Sequence, residues 1–169
     1  MGLDFDVAVV GGGAAGLMCA AQAGQAGLRV VLFEHSAKLA EKIRISGGGR
    51  CNFTNLNASY QNFVSENPQF CRSALSRFTP QDFLSLLKRY QVSWHEKHKG
   101  QLFCDDSAEQ IIRMLQAECA AGKVEIKLAC GVQQVQQVES GFSLTTSQGK
   151  FQVAKLVIAS GGLSIPKIG

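Results

Sequence analysis

Residues 5–16 have the sequence FDVAVVGGGAAG, and this stretch decides the fold. Its first half, residues 5–10, is almost continuously apolar and predicts a short buried strand. The strand leads directly into a Gly-x-Gly-x-x-Gly spacing formed by Gly11, Gly13 and Gly16. A strand that opens into this spacing is the context in which the motif binds a dinucleotide. A glycine-rich turn without a ligand is the alternative.

The residues that follow complete a βαβ unit. A helix is predicted from Ala14 to about Ala26, because a glycine directly after it provides a stop signal. Residues 29–33, RVVLF, are apolar after Arg29 and predict a second strand that ends at Glu34. Residues 4–34 therefore have the length of a tight βαβ unit.

Each glycine of the motif has a separate expected role. Gly11 permits the tight turn, and Gly16 lets the helix pack closely on the strand. Gly13 lets a pyrophosphate reach the backbone N–H groups of Ala14 and Ala15 at the positive end of the helix.

Glu34 is predicted to accept hydrogen bonds from the hydroxyl groups of an adenosine ribose. A carboxylate at this position disfavours a 2′-phosphate, so NADP is not expected in this site. The motif and the acid together do not distinguish FAD from NAD.

Residues 45–55, ISGGGRCNFTN, predict a glycine-rich loop that lets the backbone approach a ligand. The loop suits a second strip of contacts along an extended cofactor, whereas a flexible surface loop is the alternative. Residues 38–50 also carry a local excess of positive charge that suits a pyrophosphate. The candidate cofactor contacts here are Lys42, Ser46, Gly48, Gly49, Arg50, Asn52 and Thr54.

The rest of the chain predicts a helical segment, then a third strand and an antiparallel meander. Residues 69–121 have amphipathic helical patterns, interrupted by a short hairpin at residues 92–95 and 101–104. Residues 124–153 are assigned to the third strand and the meander, and residues 155–160 to a further strand. In residues 132–138 the apolar period is three, and we assign them to a strand because their neighbours are strands.

Composition limits the functional classes. The chain of 169 residues is 46% hydrophobic and 18% charged, which is typical of a globular protein. No apolar run approaches the ~20 residues that span a membrane, and the first residues lack a signal-peptide pattern, so we expect a cytoplasmic protein. The net charge of +4 is modest, and we expect no nucleic-acid partner. The six cysteines form no CxxC pair, which favours buried thiols over disulfides or a metal site.

Four stretches of the sequence resemble the BaiN-like (YhiN-type) family of NAD(P)/FAD-dependent oxidoreductases. The most specific is ISGGGRCNFTN at residues 45–55. The others are GGGAAG at 11–16, GQLFC at 100–104 and LVIASGGLS at 156–164.

This resemblance implies an α/β fold: a Rossmann-like FAD-binding domain of the glutathione-reductase type, with a parallel sheet, a β-meander and a mainly helical insertion. It also implies that Val132 meets the adenine through its backbone, and that the strand ending at Ala159 and Gly161 lies beside the cofactor. A C-terminal return strand of such domains is missing from residues 1–169. We therefore expect the chain to be the N-terminal portion of the FAD-binding domain of a longer protein.

The expected function is flavin-mediated hydride transfer to a small molecule of unknown identity, with NAD(P)H as a co-substrate. No residue is a convincing general acid or base, so no catalytic residue is assigned. Two alternatives remain open at this stage. One is an NAD-dependent dehydrogenase without flavin, and the other is a non-catalytic flavin-binding regulator.

Overall fold

A computed structural model describes residues 2–162 of the chain. The chain divides into two compact units. Unit 1 comprises Met1–Lys42 and Leu115–Gly169, and unit 2 comprises Ile43–Met114. None of the described helices is long and apolar enough to cross a membrane.

Unit 1 begins with the βαβ unit expected from sequence. Strand β1 spans Phe5–Val10, helix α1 spans Ala14–Gln25 and strand β2 spans Val30–Phe33. The two strands are parallel. Ala26 is the C-cap of the helix, and Gly27 after it has a φ of +90°, a conformation that glycine adopts without strain.

Four further strands complete a six-stranded sheet in unit 1. Its strand order is β6-β2-β1-β9-β8-β7. Strands β6, β2, β1 and β9 are parallel neighbours, whereas β7, β8 and β9 form an antiparallel meander. The bounds are Glu125–Lys127 for β6, Val132–Val138 for β7, Gly141–Thr146 for β8 and Gly149–Ile158 for β9.

The separate strand predicted at residues 155–160 is corrected by β9. Residues 149–158 form one continuous strand, and Val153 pairs with Phe5 of β1 on one side and with Phe142 of β8 on the other. No turn residue interrupts this stretch, so the backbone passes from the meander into the parallel sheet without a break. The sequence pattern could not show this, because one strand has an antiparallel partner in its first half and a parallel partner in its second.

Strand β7 explains the apolar period of three in residues 132–138. The strand lies at the end of the described sheet, and most of its residues are exposed. Val135 and Val138 are 41% and 36% exposed. An edge strand with two solvated faces has no buried face to impose alternation, so the pattern is not required to be regular.

The core of unit 1 lies on both faces of the sheet, because Val30 and Leu32, which alternate with Val31 and Phe33 along β2, are buried as well. One cluster of this core lies on the face of Val31 and Phe33. Its fully buried members come from β1, β2, the turn before β7, β8 and β9, and aromatic rings close its margin, with Phe33 and Phe151 centroids 5.1 Å apart. The buried set is Ala8, Val31, Phe33, Cys130, Leu144 and Val153.

Unit 2 contains short helices and a three-stranded antiparallel sheet with the order β3-β5-β4. The strands are β3 at Asn52–Asn55, β4 at Trp94–Glu96 and β5 at Gln101–Cys104. The helices are α2 at Glu41–Ile45, α3 at Arg72–Arg77, α4 at Pro80–Arg89 and α5 at Glu109–Ala121, and α2 and α5 continue across the unit boundaries.

The structure corrects two boundaries in this region. The predicted loop at 45–55 is ordered as a 3₁₀ turn at Ser46–Gly49 followed by β3. The helical segment at 69–121 contains the predicted hairpin, β4 and β5, whose partner β3 lies far away in sequence. Glycine and asparagine residues favoured a loop in the sequence because both are depleted in strands, and pairing of β3 with β5 overrides that preference.

Candidate cofactor-binding site

In the glycine turn after β1, backbone contacts leave no space for a side chain at Gly11 or Gly16. Gly11 has a φ of +107°, and its N–H donates to the carbonyl oxygen of Phe33 at 2.8 Å. A Cβ atom on Gly11 would collide with the carbonyl oxygen of Ala159, and one on Gly16 would overlap the carbonyl oxygen of Gly11. The tight turn and the close helix packing predicted from sequence are both present.

Gly13 faces open space, in contrast to Gly11 and Gly16. No atom lies within 4 Å of a Cβ placed on Gly13, which is the N-cap residue of α1. Ala14 and Ala15, the first two residues of the helix, are exposed. The first N–H groups of a helix have no partner within the helix, so this end of α1 presents free donors and a partial positive charge to an anion.

Glu34 is buried, with 7% of its surface exposed. Its Oε2 accepts a hydrogen bond from the backbone N–H of Gly12 at 2.7 Å. Its Oε1 accepts one from the N–H of Ser36 at 2.8 Å and lies 3.0 Å from Nδ1 of His35. Two carboxylate oxygens have about four acceptor sites in all. The carboxylate therefore anchors the glycine turn and keeps acceptor capacity for a ribose hydroxyl.

Sequence reasoning missed Gly12 and the segment that covers it. A Cβ on Gly12 would lie 2.5 Å from Cδ2 of Leu39 and 3.0 Å from Oε2 of Glu34. The carbonyl oxygen of Gly12 accepts from the N–H of Ala40 at 2.9 Å, and Ala40 has a φ of +60°. The run of three consecutive glycines at residues 11–13 was a signal for Gly12, whereas no pattern marked Leu39 or Ala40.

The end of β9 lies beside the glycine turn. The N–H of Ala159 donates to the carbonyl oxygen of Val10 at 2.8 Å, and the Cβ of Ala159 would lie 3.4 Å from a Cβ on Gly16. Nζ of Lys42 lies 3.3 Å from the position of a Cβ on Gly161. The structure thus brings Ala159 together with Gly16, and Lys42 together with Gly161. Leu163 and Ser164, the last residues of the family-like stretch, lie outside the described residues.

Lys42 already has a backbone partner within unit 1. Its Nζ donates to the carbonyl oxygen of Gly162 at 2.5 Å. In unit 2, Arg44 forms an ion pair with Glu109. The positive charge that the sequence predicted for a pyrophosphate is therefore partly used by contacts within the chain.

Val132 follows a turn that is hydrogen-bonded to the segment that begins at Glu34. The N–H of Cys130 donates to the carbonyl oxygen of Glu34 at 2.8 Å, and the N–H of Ala129 donates to that of Ser36 at 2.9 Å. The side chain of Val132 packs against the core cluster. Its proposed contact with an adenine through the backbone stays a prediction.

The remaining six candidates lie in unit 2, on the 3₁₀ turn and β3. Three consecutive glycines, at positions 47–49, have φ values of +60°, +68° and +86°. Nothing lies within 4 Å of a Cβ on Gly48 or Gly49, whereas one on Gly47 would lie 2.8 Å from the ring of Phe103. The turn therefore has one packed glycine and two open ones. The six residues are Ser46, Gly48, Gly49, Arg50, Asn52 and Thr54, and their contact with a cofactor stays a prediction.

The two cysteines of this region have buried thiols. Cys51 is 4% exposed and Cys104 is fully buried. Burial raises the pKa of Cys51, and burial together with the neighbouring Cys51 raises the pKa of Cys104 to about 12. A thiol with a raised pKa forms little thiolate near neutral pH, so this environment favours a packing role.

The parallel sheet, the closed glycine turn and the buried acid after β2 define a Rossmann-like FAD-binding domain. The chain belongs to the family described as the HI0933-like protein Rossmann domain, whose model matches residues 5–169. The family and the fold class inferred from sequence are confirmed. Glycine oxidase from Bacillus cereus has a similar fold, with a TM-score of 0.64 at 18% identity over 94% of this chain and 55% of that chain.

Three curated relatives are similar over nearly the whole chain. A protein of Escherichia coli K12 named ribosomal RNA dihydrouridine synthase is 51% identical over 98% of this chain and 41% of the relative. A protein with the same name from Haemophilus influenzae is 44% identical over 95% of this chain and 41% of the relative. A 3-dehydro-bile acid delta(4,6)-reductase of Clostridium scindens is 25% identical over 96% of this chain. The chain spans less than half the length of these relatives.

These relatives overturn the functional class and the partners expected from sequence. The sequence predicts hydride transfer to an unknown small molecule and no nucleic-acid partner, with a flavin-free dehydrogenase or a regulator as alternatives. These predictions are wrong, because the relatives that are 51% and 44% identical to the chain are named for a reaction on ribosomal RNA. A modest net charge does not exclude an RNA substrate, since RNA can be recognised by stacking on aromatic side chains as well as by charge.

Proposed function

We propose that this protein is a flavin-dependent ribosomal RNA dihydrouridine synthase, and that the described units contribute its FAD-binding portion. The observation that carries the proposal is 51% identity, over 98% of this chain, to the Escherichia coli enzyme of that name. Because ribosomal RNA is the proposed substrate, we also propose a cytoplasmic location.

The proposed reaction matches the chemistry of a flavin. Dihydrouridine differs from uridine by a hydride and a proton added across one carbon–carbon double bond of the base. Amino-acid side chains do not supply hydrides, so such a reduction needs a redox cofactor, and bound FAD in its two-electron-reduced form would supply the hydride and return to the oxidised form. The flavin must then be reduced by a two-electron donor, for which we propose NAD(P)H.

The bile acid reductase supports the same class of reaction. Its name describes a reductase of a steroid with double bonds and an oxidised 3-position. In uridine, the double bond that becomes saturated is likewise conjugated to a carbonyl group. Reduction of a conjugated carbon–carbon double bond is therefore a shared chemical theme, although the lower identity of 25% makes a steroid the less favoured substrate.

The residues of unit 1 would hold the adenosine diphosphate half of FAD. The free N–H groups at Ala14 and Ala15 would bind the pyrophosphate, and the open space at Gly13 would let it approach. The remaining acceptor capacity of Glu34 would bind the ribose. The cofactor contacts that the sequence predicts for the 3₁₀ turn and β3 stay a prediction.

The test is a reaction of the purified full-length protein with ribosomal RNA from a strain that lacks its gene, in the presence of FAD and NADPH or NADH. Nucleoside mass spectrometry should detect dihydrouridine at one or a few positions of the RNA. A matched reaction with a steroid that has a conjugated 3-oxo group tests the second candidate. Formation of reduced steroid and no dihydrouridine would contradict the proposal.

A further inference from the structure

Residues 61–70 of unit 2 form an uninterrupted run in which every residue is exposed. The run begins within a 3₁₀ turn at Tyr60–Asn62 and ends shortly before helix α3. It contains Val64, which is 100% exposed, Phe70, which is 81% exposed, and Phe63, which is 50% exposed. Apolar exposure on this scale in a short stretch marks a contact surface. We refer to residues 60–78 as the aromatic segment.

The chemistry of the aromatic segment differs from that of other exposed apolar residues. Every exposed phenylalanine among residues 2–162 lies in it, namely Phe63, Phe70 and Phe78. The large apolar residues exposed in unit 1 are all aliphatic: Leu28, Leu128, Val135, Val138 and Ile158. Aromatic rings offer flat faces for stacking, which aliphatic side chains do not.

Basic and amide side chains accompany these rings. Arg72 and Arg77 are exposed, and Glu66 is the one acidic residue in the sequence from Asn52 to Gln81. The guanidinium of Arg72 lies over the ring of Tyr60, 5.2 Å from its centroid. Exposed amides add donors and acceptors, at Gln61, Asn62, Asn67 and Gln69.

We propose that the aromatic segment binds single-stranded or loop nucleotides of the RNA substrate. Unpaired bases are recognised by stacking on aromatic rings and on arginine planes, and by hydrogen bonds to their edges. The segment offers all three groups and little negative charge to repel phosphates. The inference rests on the proposed function. A contact with other parts of the same protein is the competing explanation of the exposed rings, and the experiment distinguishes the two.

The first experiment measures RNA affinity of the full-length protein by fluorescence anisotropy with a labelled ribosomal RNA transcript. The double variant Phe63→Ala, Phe70→Ala should bind at least about ten-fold more weakly, because each lost stack between a base and a ring weakens binding by that order. Arg72→Ala should also reduce the dependence of log affinity on log salt by about one. The matched controls are the double variant Val135→Ala, Val138→Ala and the single variant Lys150→Ala. Both should bind RNA like the wild type and contain the same amount of flavin.

A second measurement uses the wild-type protein, so that folding of a variant does not decide the result. A transcript with 4-thiouridine is cross-linked by light, and the peptides are identified by mass spectrometry. Cross-links within residues 60–78 are expected. Cross-links confined to other peptides would overturn the inference, as would wild-type RNA affinity in the double variant. Dihydrouridine formation in either case would leave the proposed function intact. If the wild-type protein forms no dihydrouridine, this result counts against the proposed function. The cross-links would still show whether the aromatic segment contacts RNA.

Discussion

Gly13 and Gly16 belong to the same glycine motif, but neighbouring atoms restrict the space only at Gly16. A Cβ on Gly16 would overlap the carbonyl oxygen of Gly11, whereas one on Gly13 would meet nothing within 4 Å. Glycine at position 16 is therefore required by the fold itself. At position 13 the protein alone does not require it, and the open space is consistent with a ligand.

Alanine substitutions separate these two requirements. Gly16→Ala should lower the free energy of unfolding of the flavin-free protein by about 1–3 kcal/mol or more, because backbone atoms must move apart. Gly13→Ala should change it by less than about 1 kcal/mol, the cost of a poorer N-cap, yet it should reduce flavin affinity. Denaturant titration and flavin titration measure the two quantities. Equal stability losses in both variants would contradict this assignment.

Glu34 combines a structural role with the proposed ribose contact. Glu34→Ala removes the acceptor for Gly12 N–H as well as the ribose partner, so it should reduce FAD affinity by about ten- to a hundred-fold, from roughly 1.5–3 kcal/mol of lost hydrogen bonding. Titration of the flavin-free protein with FAD measures the effect. Glu125→Gln, on the neighbouring strand β6, is the control and should leave the affinity unchanged. An unchanged affinity in Glu34→Ala would remove this residue from the site.

At the scale of elements, helix α4 has the most complete set of local signals. Thr79 is its N-cap, Pro80 is its first residue, and Asp82 completes a capping box. Oδ2 of Asp82 accepts from the hydroxyl of Thr79 at 2.6 Å and from its backbone N–H at 2.8 Å. These bonds satisfy groups at the helix start that would otherwise have no partner.

The capping box gives a stability prediction for unit 2. Thr79→Ala should lower the free energy of unfolding by about 1 kcal/mol, whereas Ser85→Ala, at an exposed position within the same helix, should not lower it. The bonds from Thr79 hold the pKa of Asp82 below its usual value. The contribution of Asp82 is thus present above the usual carboxyl pKa and is lost as pH falls through the lowered pKa. The difference between wild type and Asp82→Asn should accordingly shrink below about pH 4. A difference that stays constant from pH 7 to pH 3 would show that the charged carboxylate is not involved.

At the scale of the molecule, local signals predicted unit 1 better than unit 2. The βαβ unit and the meander follow from apolar runs, turn glycines and chain order, all of which act between neighbouring elements. Pairing of β3 with β5 joins residues about 50 positions apart and has no local signature. The contact of Lys42 with Gly162 and the packing of Leu39 against Gly12 also have no local sequence signature. The surface proposed to bind RNA was not predicted from sequence, because the exposure of Phe63 and Phe70 is a property of the folded chain.

The identity of the bound flavin shows most directly whether residues 5–34 bind an adenosine diphosphate group. FAD contains this group, whereas FMN lacks it. Acid release from the purified full-length protein, followed by chromatography against both standards, should yield FAD at about one molecule per chain. Gly13→Ala should yield less FAD with an otherwise folded protein. Recovery of FMN alone, or of no flavin from a folded protein that still forms dihydrouridine, would contradict the assignment of residues 5–34 to FAD binding.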